Sequence, residues 1–242
     1  MSEGENETNS ILLVVPCYKE RLRLPKFLPD LSQAIQESNL PVRIQVVDDG
    51  SPEDEAAFLK GYVEEQRSRY DVLNEALLFE ENQGKGGAIR SGWDTGHSFK
   101  TLAFVDADGA VSASEVARVL KDIESDRVYL AVRDPKDSHS LDRKLTRKAA
   151  AKLFNTLIRL RYDIDVSDTQ CGFKIIPGEF YRIVRSQLKQ SSYAFDLELI
   201  LAAKNAGYPI ETIPVNWTEI PGSSTNLKEA IAFLKQLLRR SV

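Results

Sequence analysis

The chain has 242 residues, 42% apolar and 28% charged, the proportions of a globular protein long enough to bury its own core without staples. Its 32 Lys and Arg against 36 Asp and Glu leave a net charge of −4, so nothing global drives it toward nucleic acid. Two widely separated cysteines, Cys17 and Cys171, exclude a disulfide framework and a thiolate metal centre, and read as reduced thiols of a cytoplasmic protein.

The first ten residues are polar and acidic, without periodicity, and are expected to be a disordered tail. No secretory leader and no apolar run of bilayer length is read. From Ile11 an apolar run reaches Val15 and stops at Pro16, the pattern of a strand buried on both faces. Further runs cover Arg43 to Val47, Ala76 to Phe79, Thr101 to Val105 and Val128 to Val132. Helical periods lie between them, through Phe27, Leu28, Leu31 and Ile35, and through Phe58, Leu59, Tyr62 and Val63. Ser51-Pro52-Glu53 is a helix-start signal, and Ser112 with Glu115 has capping-box spacing ahead of Val116, Val119 and Leu120. The later half predicts a basic helix over Arg143 to Arg161, a strand over Phe173 to Ile176, and helices from Glu179 and from Phe195 to Asn205. A strand over Ile210 to Val215, a loop over Pro221 to Asn226 and an amphipathic helix over Leu227 to Arg240 complete it.

Alternating strands and helices imply an α/β fold, a mostly parallel sheet with helices on both faces, in one domain over residues 11–242. Ligands of such sheets bind beyond the carboxyl ends of the strands. Those ends carry Pro16 to Glu20, Asp48-Asp49, Asp106-Ala107-Asp108 and Arg133, and this coincidence of position marks the candidate site.

Each motif has two readings. Asp106 and Asp108 can share one hard cation that bridges a diphosphate, or can sit in a solvated turn. Asp48 can accept from a base or ribose, or hold a turn; as a binding acid, its replacement by Ala is expected to leave thermal stability almost unchanged. Asn82 to Arg90, with Gly84, Gly86 and Gly87, opens a helix whose amides and Lys85 suit phosphate, or is a plain tight turn. Arg143 to Tyr162 holds seven basic residues and no acid, facing diphosphate, acidic lipid or only water. Trp93 and Trp217 read as core or pocket walls, and His97 and His139 have no partner pattern. No Ser-His-Asp or Cys-His arrangement can be argued.

As an ordered set these residues are familiar. Val15-Pro16-Cys17-Tyr18-Lys19-Glu20, Val47-Asp48-Asp49-Gly50-Ser51, Asn82 to Ala88 and Asp106-Ala107-Asp108-Gly109 resemble glycosyltransferase family two, the inverting enzymes of GT-A fold. Asp168-Thr169-Gln170-Cys171-Gly172-Phe173-Lys174, Ala194 to Leu199 and Val215 to Ile220 are similar to the dolichyl-phosphate β-glucosyltransferases, and more loosely to the dolichyl-phosphate mannosyltransferases. The likeness spans roughly Ile11 to Asn226. It implies a nucleotide-sugar half over 11–134 and an acceptor half over 135–242. By the same likeness Pro16, Tyr18 and Glu20 line the nucleotide pocket, Asp48 meets the base with Asp49 nearby, and Lys85 and Ala107 flank the nucleotide sugar. Asp106 contacts ribose or metal, and Asp108 binds Mg²⁺ or Mn²⁺. Arg133 and Arg147 face diphosphate or acceptor phosphate, while Asp168 and Lys174 sit at the sugar and acceptor side. Lys19 stands where the family commonly has Asn.

The implied reaction moves a hexose, glucose from UDP-glucose, onto a polyprenyl phosphate. Contact with the cytoplasmic membrane face would come from the two basic helices or from a membrane partner subunit. The alternatives are a soluble family-two enzyme acting on a hydroxyl, with Asp168 as base, and a non-catalytic nucleotide-sugar-binding module. A sugar nucleotidyltransferase would carry a glycine-rich basic loop where Pro16-Cys17-Tyr18 stands.

Overall fold

The computed structural model describes residues 10–133, 168–192, 194–218 and 220. The expected helix over 143–161 with Arg147, the loop over 221–226, the helix over 227–240 and all of the tail but Ser10 lie outside the described residues. The described chain runs β1 (Ile11–Cys17), α1 (Leu24–Ser38), β2 (Val42–Asp48), α2 (Glu53–Arg67), β3 (Leu77–Leu78) and α3 (Lys85–Asp94). It continues with β4 (Thr101–Val105), α4 (Ala113–Lys121), β5 (Val128–Arg133), β6 (Phe173–Pro177), α5 (Gly178–Val184), α6 (Ala194–Asn205) and β7 (Ile210–Val215).

The strands form one sheet in the order β3-β2-β1-β4-β6-β5-β7. All neighbours are parallel except β6, which runs antiparallel to both β4 and β5. Alternation along β1 explains why it is apolar throughout, because its residues serve two cores. Leu13 and Val15 join Leu28, Leu31 and Ile35 of α1, Leu59 of α2 and Val116 of α4. Leu12 and Val14 face the other way, toward Ile89 and Trp93 of α3, Phe180 of α5 and Phe195 of α6. Loss of one fully buried Leu or Ile side chain from such a core costs about 2–5 kcal/mol.

Three local expectations change. Ser51 does not cap α2; its side chain serves Asp48, and Pro52 takes the N-cap position with no side-chain hydrogen bond. Only half of the capping box at α4 forms. Ser112 accepts from the Glu115 amide, but the Glu115 carboxylate turns to Arg118 and to the amide of Asn216, tying α4 to the end of β7. Strand β3 is also shorter than the apolar run: it pairs only through Leu77 and Leu78, after which the Phe79 amide still reaches the Asp48 carbonyl.

The reversal of β6 positions the site. Its first residue, Phe173, pairs with Val105 at the carboxyl end of β4. Residues 168–172 therefore arrive at the same sheet edge as the ends of the parallel strands, and the Asp106 amide donates to the Gly172 carbonyl at 2.8 Å.

Candidate active site

At the end of β2 two buried acids hold turns together. Both oxygens of Asp48 are engaged by Ser51, from its amide at 3.0 Å and its hydroxyl at 2.7 Å. The same hydroxyl accepts from the Lys19 amide at 2.9 Å, which fastens the β1–α1 loop to this turn. Asp49 accepts from the Gln83 amide at 2.7 Å, and its carbonyl accepts from the Asn82 side chain at 2.9 Å. Burial pushes the Asp49 carboxyl above its ordinary value, while the amides of Gln83 and Gly84 pull it back. The glycine-rich turn is thus pinned from below. It is walled on its other side by residues 190–191: a Cβ on Gly84, whose φ is +78°, would stand 2.2 Å from the Ser191 carbonyl oxygen.

The β1–α1 loop carries Tyr18, exposed, and Glu20, nearly buried. Arg23 grips Glu20 with Nε at 2.6 Å and Nη2 at 2.5 Å. Even so, burial pushes the Glu20 carboxyl up to about 7; Arg23 lowers it, and the charges of Asp108 and Asp106 add to the rise. Glu20 therefore faces the acid loop that follows β4. Pro16 stays in the β1 ladder beside Val47.

In that acid loop Asp106 and Asp108 point outward while Ala107 is buried in the core, so only the Ala107 backbone is available to a nucleotide. Asp106 is half-enclosed by its neighbours. Burial by surrounding atoms raises its carboxyl above the ordinary value, against the pull of Lys85, yet 38% of its side chain remains open to solvent. Lys85 Nζ stands 2.7 Å from Asp106 Oδ1. Asp108 Oδ1 accepts from the Ala110 amide at 3.0 Å. Gly172 is required beneath, because a Cβ there would lie 2.0 Å from Asp106 Oδ2.

Opposite, Arg133 and Asp168 form a two-pronged pair, Nε to Oδ2 at 2.5 Å and Nη2 to Oδ1 at 2.9 Å. The guanidinium lies over the Trp217 ring at 5.1 Å. Trp217 bridges back to Val111, and the Thr218 amide donates to the Ala110 carbonyl at 2.9 Å, so the segment after β7 closes against the acid loop.

Lys174 is not exposed at the site. Its side chain is 0% exposed, and its ammonium donates to Asp196 Oδ1 at 2.6 Å and to the Cys171 carbonyl at 2.7 Å. Lys174 lies in the middle of β6, whose residues are all buried, and here it holds Asp196 rather than a solvent-facing surface. Asp196 was missed as a site residue. The signal was present, an acid between Phe195 and Leu197 in a stretch from Ala194 to Ala203 that is apolar apart from it and Glu198. Arg147 lies outside the described residues.

Among the described residues no group of three or more Asp, Glu, His or Cys is gathered for a metal. Two oxygen donors one residue apart, one of them already bound to a lysine, still fit a hard divalent cation that takes its remaining ligands from substrate phosphates and water. No helix among the described residues is long and apolar enough to cross a membrane.

The family model for glycosyl transferase family 2 matches residues 12–183, and the chain belongs to that family. It is 31% identical to a dolichyl-phosphate β-glucosyltransferase of Dictyostelium discoideum, over 98% of this chain and 76% of the relative. It is 30% identical to the human enzyme of the same name, over 90% of this chain and 70% of that one. The fold is the GT-A fold of glycosyltransferases. A UDP complex of glucosyl-3-phosphoglycerate synthase from Mycobacterium tuberculosis superposes with a TM-score of 0.62 at 16% identity, covering 98% of this chain and 82% of the other. A mannosyltransferase from Pyrobaculum calidifontis in complex with GDP-Man and Mn²⁺ gives 0.61 at 14% identity, over 98% and 66%.

Proposed function

We propose that this glycosyltransferase moves glucose from UDP-glucose onto a polyprenyl phosphate, with inversion at the anomeric carbon. The observation that carries the acceptor class is the Arg133–Asp168 pair. A carboxylate whose two oxygens are both held by one guanidinium is spent on positioning that cation and is a poor proton acceptor. A hydroxyl acceptor needs a base; an acceptor phosphate arrives ionised and does not. The names of the related dolichyl-phosphate enzymes agree with this reading.

In this mechanism Asp48 and Asp49 shape the floor for base and ribose, with Pro16, Tyr18 and Glu20 at its wall and Lys85 at the diphosphate. Asp106 and Asp108 would hold Mg²⁺ or Mn²⁺, which would supply positive charge to neutralise the departing UDP. Arg133, kept in orientation by Asp168 and Trp217, meets the acceptor phosphate, and Arg147 shares that charge. An acceptor oxygen forms the new bond to the anomeric carbon as the bond to the diphosphate oxygen breaks, and the electron pair leaves with UDP. Residues 143–161 and 227–240, basic with apolar stripes, supply reversible contact with the lipid surface, or a membrane partner subunit does.

The test offers the purified protein UDP-glucose, GDP-mannose and UDP-N-acetylglucosamine separately, each with a short polyprenyl phosphate and Mg²⁺ or Mn²⁺. Transfer of glucose to the lipid is expected. Transfer to soluble hydroxyl acceptors with none to the lipid overturns the reading.

A further inference from the structure

Four charges alternate in a line from Asp106 into the core. Asp106 is open to solvent, Lys85 is 18% exposed, Asp196 2% and Lys174 0%. Lys85 Nζ stands 2.7 Å from Asp106 Oδ1 and 3.8 Å from Asp196 Oδ2, and Lys174 Nζ stands 2.6 Å from Asp196 Oδ1. Both ammonium groups lie over the ring of Phe104, at 5.0 and 5.5 Å. Lys85 is also the first residue of α3, the positive end of a helix, where a cation is disfavoured. Two carboxylates therefore hold it where helix electrostatics would not put it. Asp196 is anchored by Lys174 and buried, so of these two carboxylates the Asp106 end is the one that opens toward solvent.

The geometry points to Lys85 as a built-in counter-cation of the acid pair: a positioning residue, held from behind by Asp196, that must give up Asp106 before that carboxylate can ligate a divalent cation. This rests on the reading of Asp106 and Asp108 as the cation's ligands. Lys85 Nζ, 2.7 Å from Asp106 Oδ1, balances the charge of that carboxylate. A divalent cation at the same oxygens would meet an ammonium in its coordination sphere. Entry is favoured once a donor diphosphate brings negative charge that Lys85 can neutralise instead. The device makes cation uptake depend on nucleotide.

The experiment measures Mn²⁺ uptake by the full chain without nucleotide, from the electron paramagnetic resonance signal of unbound Mn²⁺, for the parent, Lys85→Met, Lys85→Arg and Lys85→Met with Asp106→Asn. Lys85→Met should bind Mn²⁺ about tenfold more tightly, the scale of one charge-assisted hydrogen bond. Lys85→Arg should behave as the parent, and Asp106→Asn should remove the gain. Equal or weaker uptake by Lys85→Met, including none by either protein, overturns the inference. Calorimetry of UDP binding to the parent with and without Mn²⁺ separates the two layers. If UDP binding does not depend on Mn²⁺, the cation reading itself falls. If it does, while Lys85→Met gains nothing, only the counter-cation role falls.

Discussion

Asp168 gives both of its oxygens to one guanidinium, that of Arg133, and the same guanidinium lies over the face of Trp217. The pair separates two roles that a lone acid leaves mixed. Asp168→Asn keeps a side chain of the same shape and one acceptor oxygen, so transfer to a polyprenyl phosphate should fall by no more than about tenfold, with an unchanged pH profile. Loss of a true general base would cost roughly 10²–10⁴. Arg133→Ala should be the more damaging change, by about 10²–10³ in kcat, the scale of removing one charge-stabilising donor. Steady-state kinetics of the two variants across pH check this.

Asp108→Ala should abolish turnover and the Mn²⁺-dependent part of UDP binding. Among the described residues its carboxylate accepts from the Ala110 amide, a contact worth about 1 kcal/mol, so the fold should survive. Circular dichroism beside calorimetry with and without Mn²⁺ tells loss of site from loss of structure. Near-normal activity in this variant would remove the acid pair from the reaction.

Glu20 predicts a pH dependence of stability. Its carboxyl stands at about 7 in the folded protein, above the ordinary value of 4.5. The folded state therefore binds a proton that the unfolded state has lost across that window. The contribution is fully present below about pH 4 and disappears as pH climbs through 7, amounting to at most about 3 kcal/mol. Glu20→Gln should flatten the fall in metal-free stability between pH 5 and pH 8. Urea midpoints of parent and variant at the two pH values give the comparison, and parallel curves would refute it.

Asp48 is a structural acid before it is anything else. The sequence reading expected its replacement to be thermally silent, but both of its oxygens close the turn with Ser51. Asp48→Ala removes the partner of that amide and hydroxyl in a partly buried turn and should cost about 1–3 kcal/mol. Thermal unfolding measures it directly. Any loss of UDP affinity should then be judged at a temperature where the variant is fully folded.

What could be read from residues alone has a physical pattern. Strand identity was legible because Ile11 to Val15 and Leu102 to Val105 are buried on both faces and are apolar throughout. The site was legible because Asp48, Asp106 and Arg133 stand where such runs stop. The direction of β6 was not, since an apolar run reads the same in a parallel and an antiparallel ladder. Nor was the fate of Lys174. A lysine among apolar neighbours looks like a charge reaching for solvent until Asp196, 22 positions later, is brought against it. Ser51 was misassigned for a related reason: a hydroxyl ahead of Pro52-Glu53 can cap a helix or close the preceding turn, and only the position of Asp48 decides.

The place of β6 in the sheet also bears on how the molecule comes into being. Strand β4 borders β1 on one side and β6 on the other, and β6 is made from residues some 70 positions after β4. Until those residues leave the ribosome, Thr101 to Val105 present an unpaired apolar edge, the kind that recruits a strand from another chain. Pairing must then close a long loop, which slows folding. Short synthesis products ending before Asp168 should therefore be prone to association, and they would also lack the Gly172 carbonyl that receives the Asp106 amide.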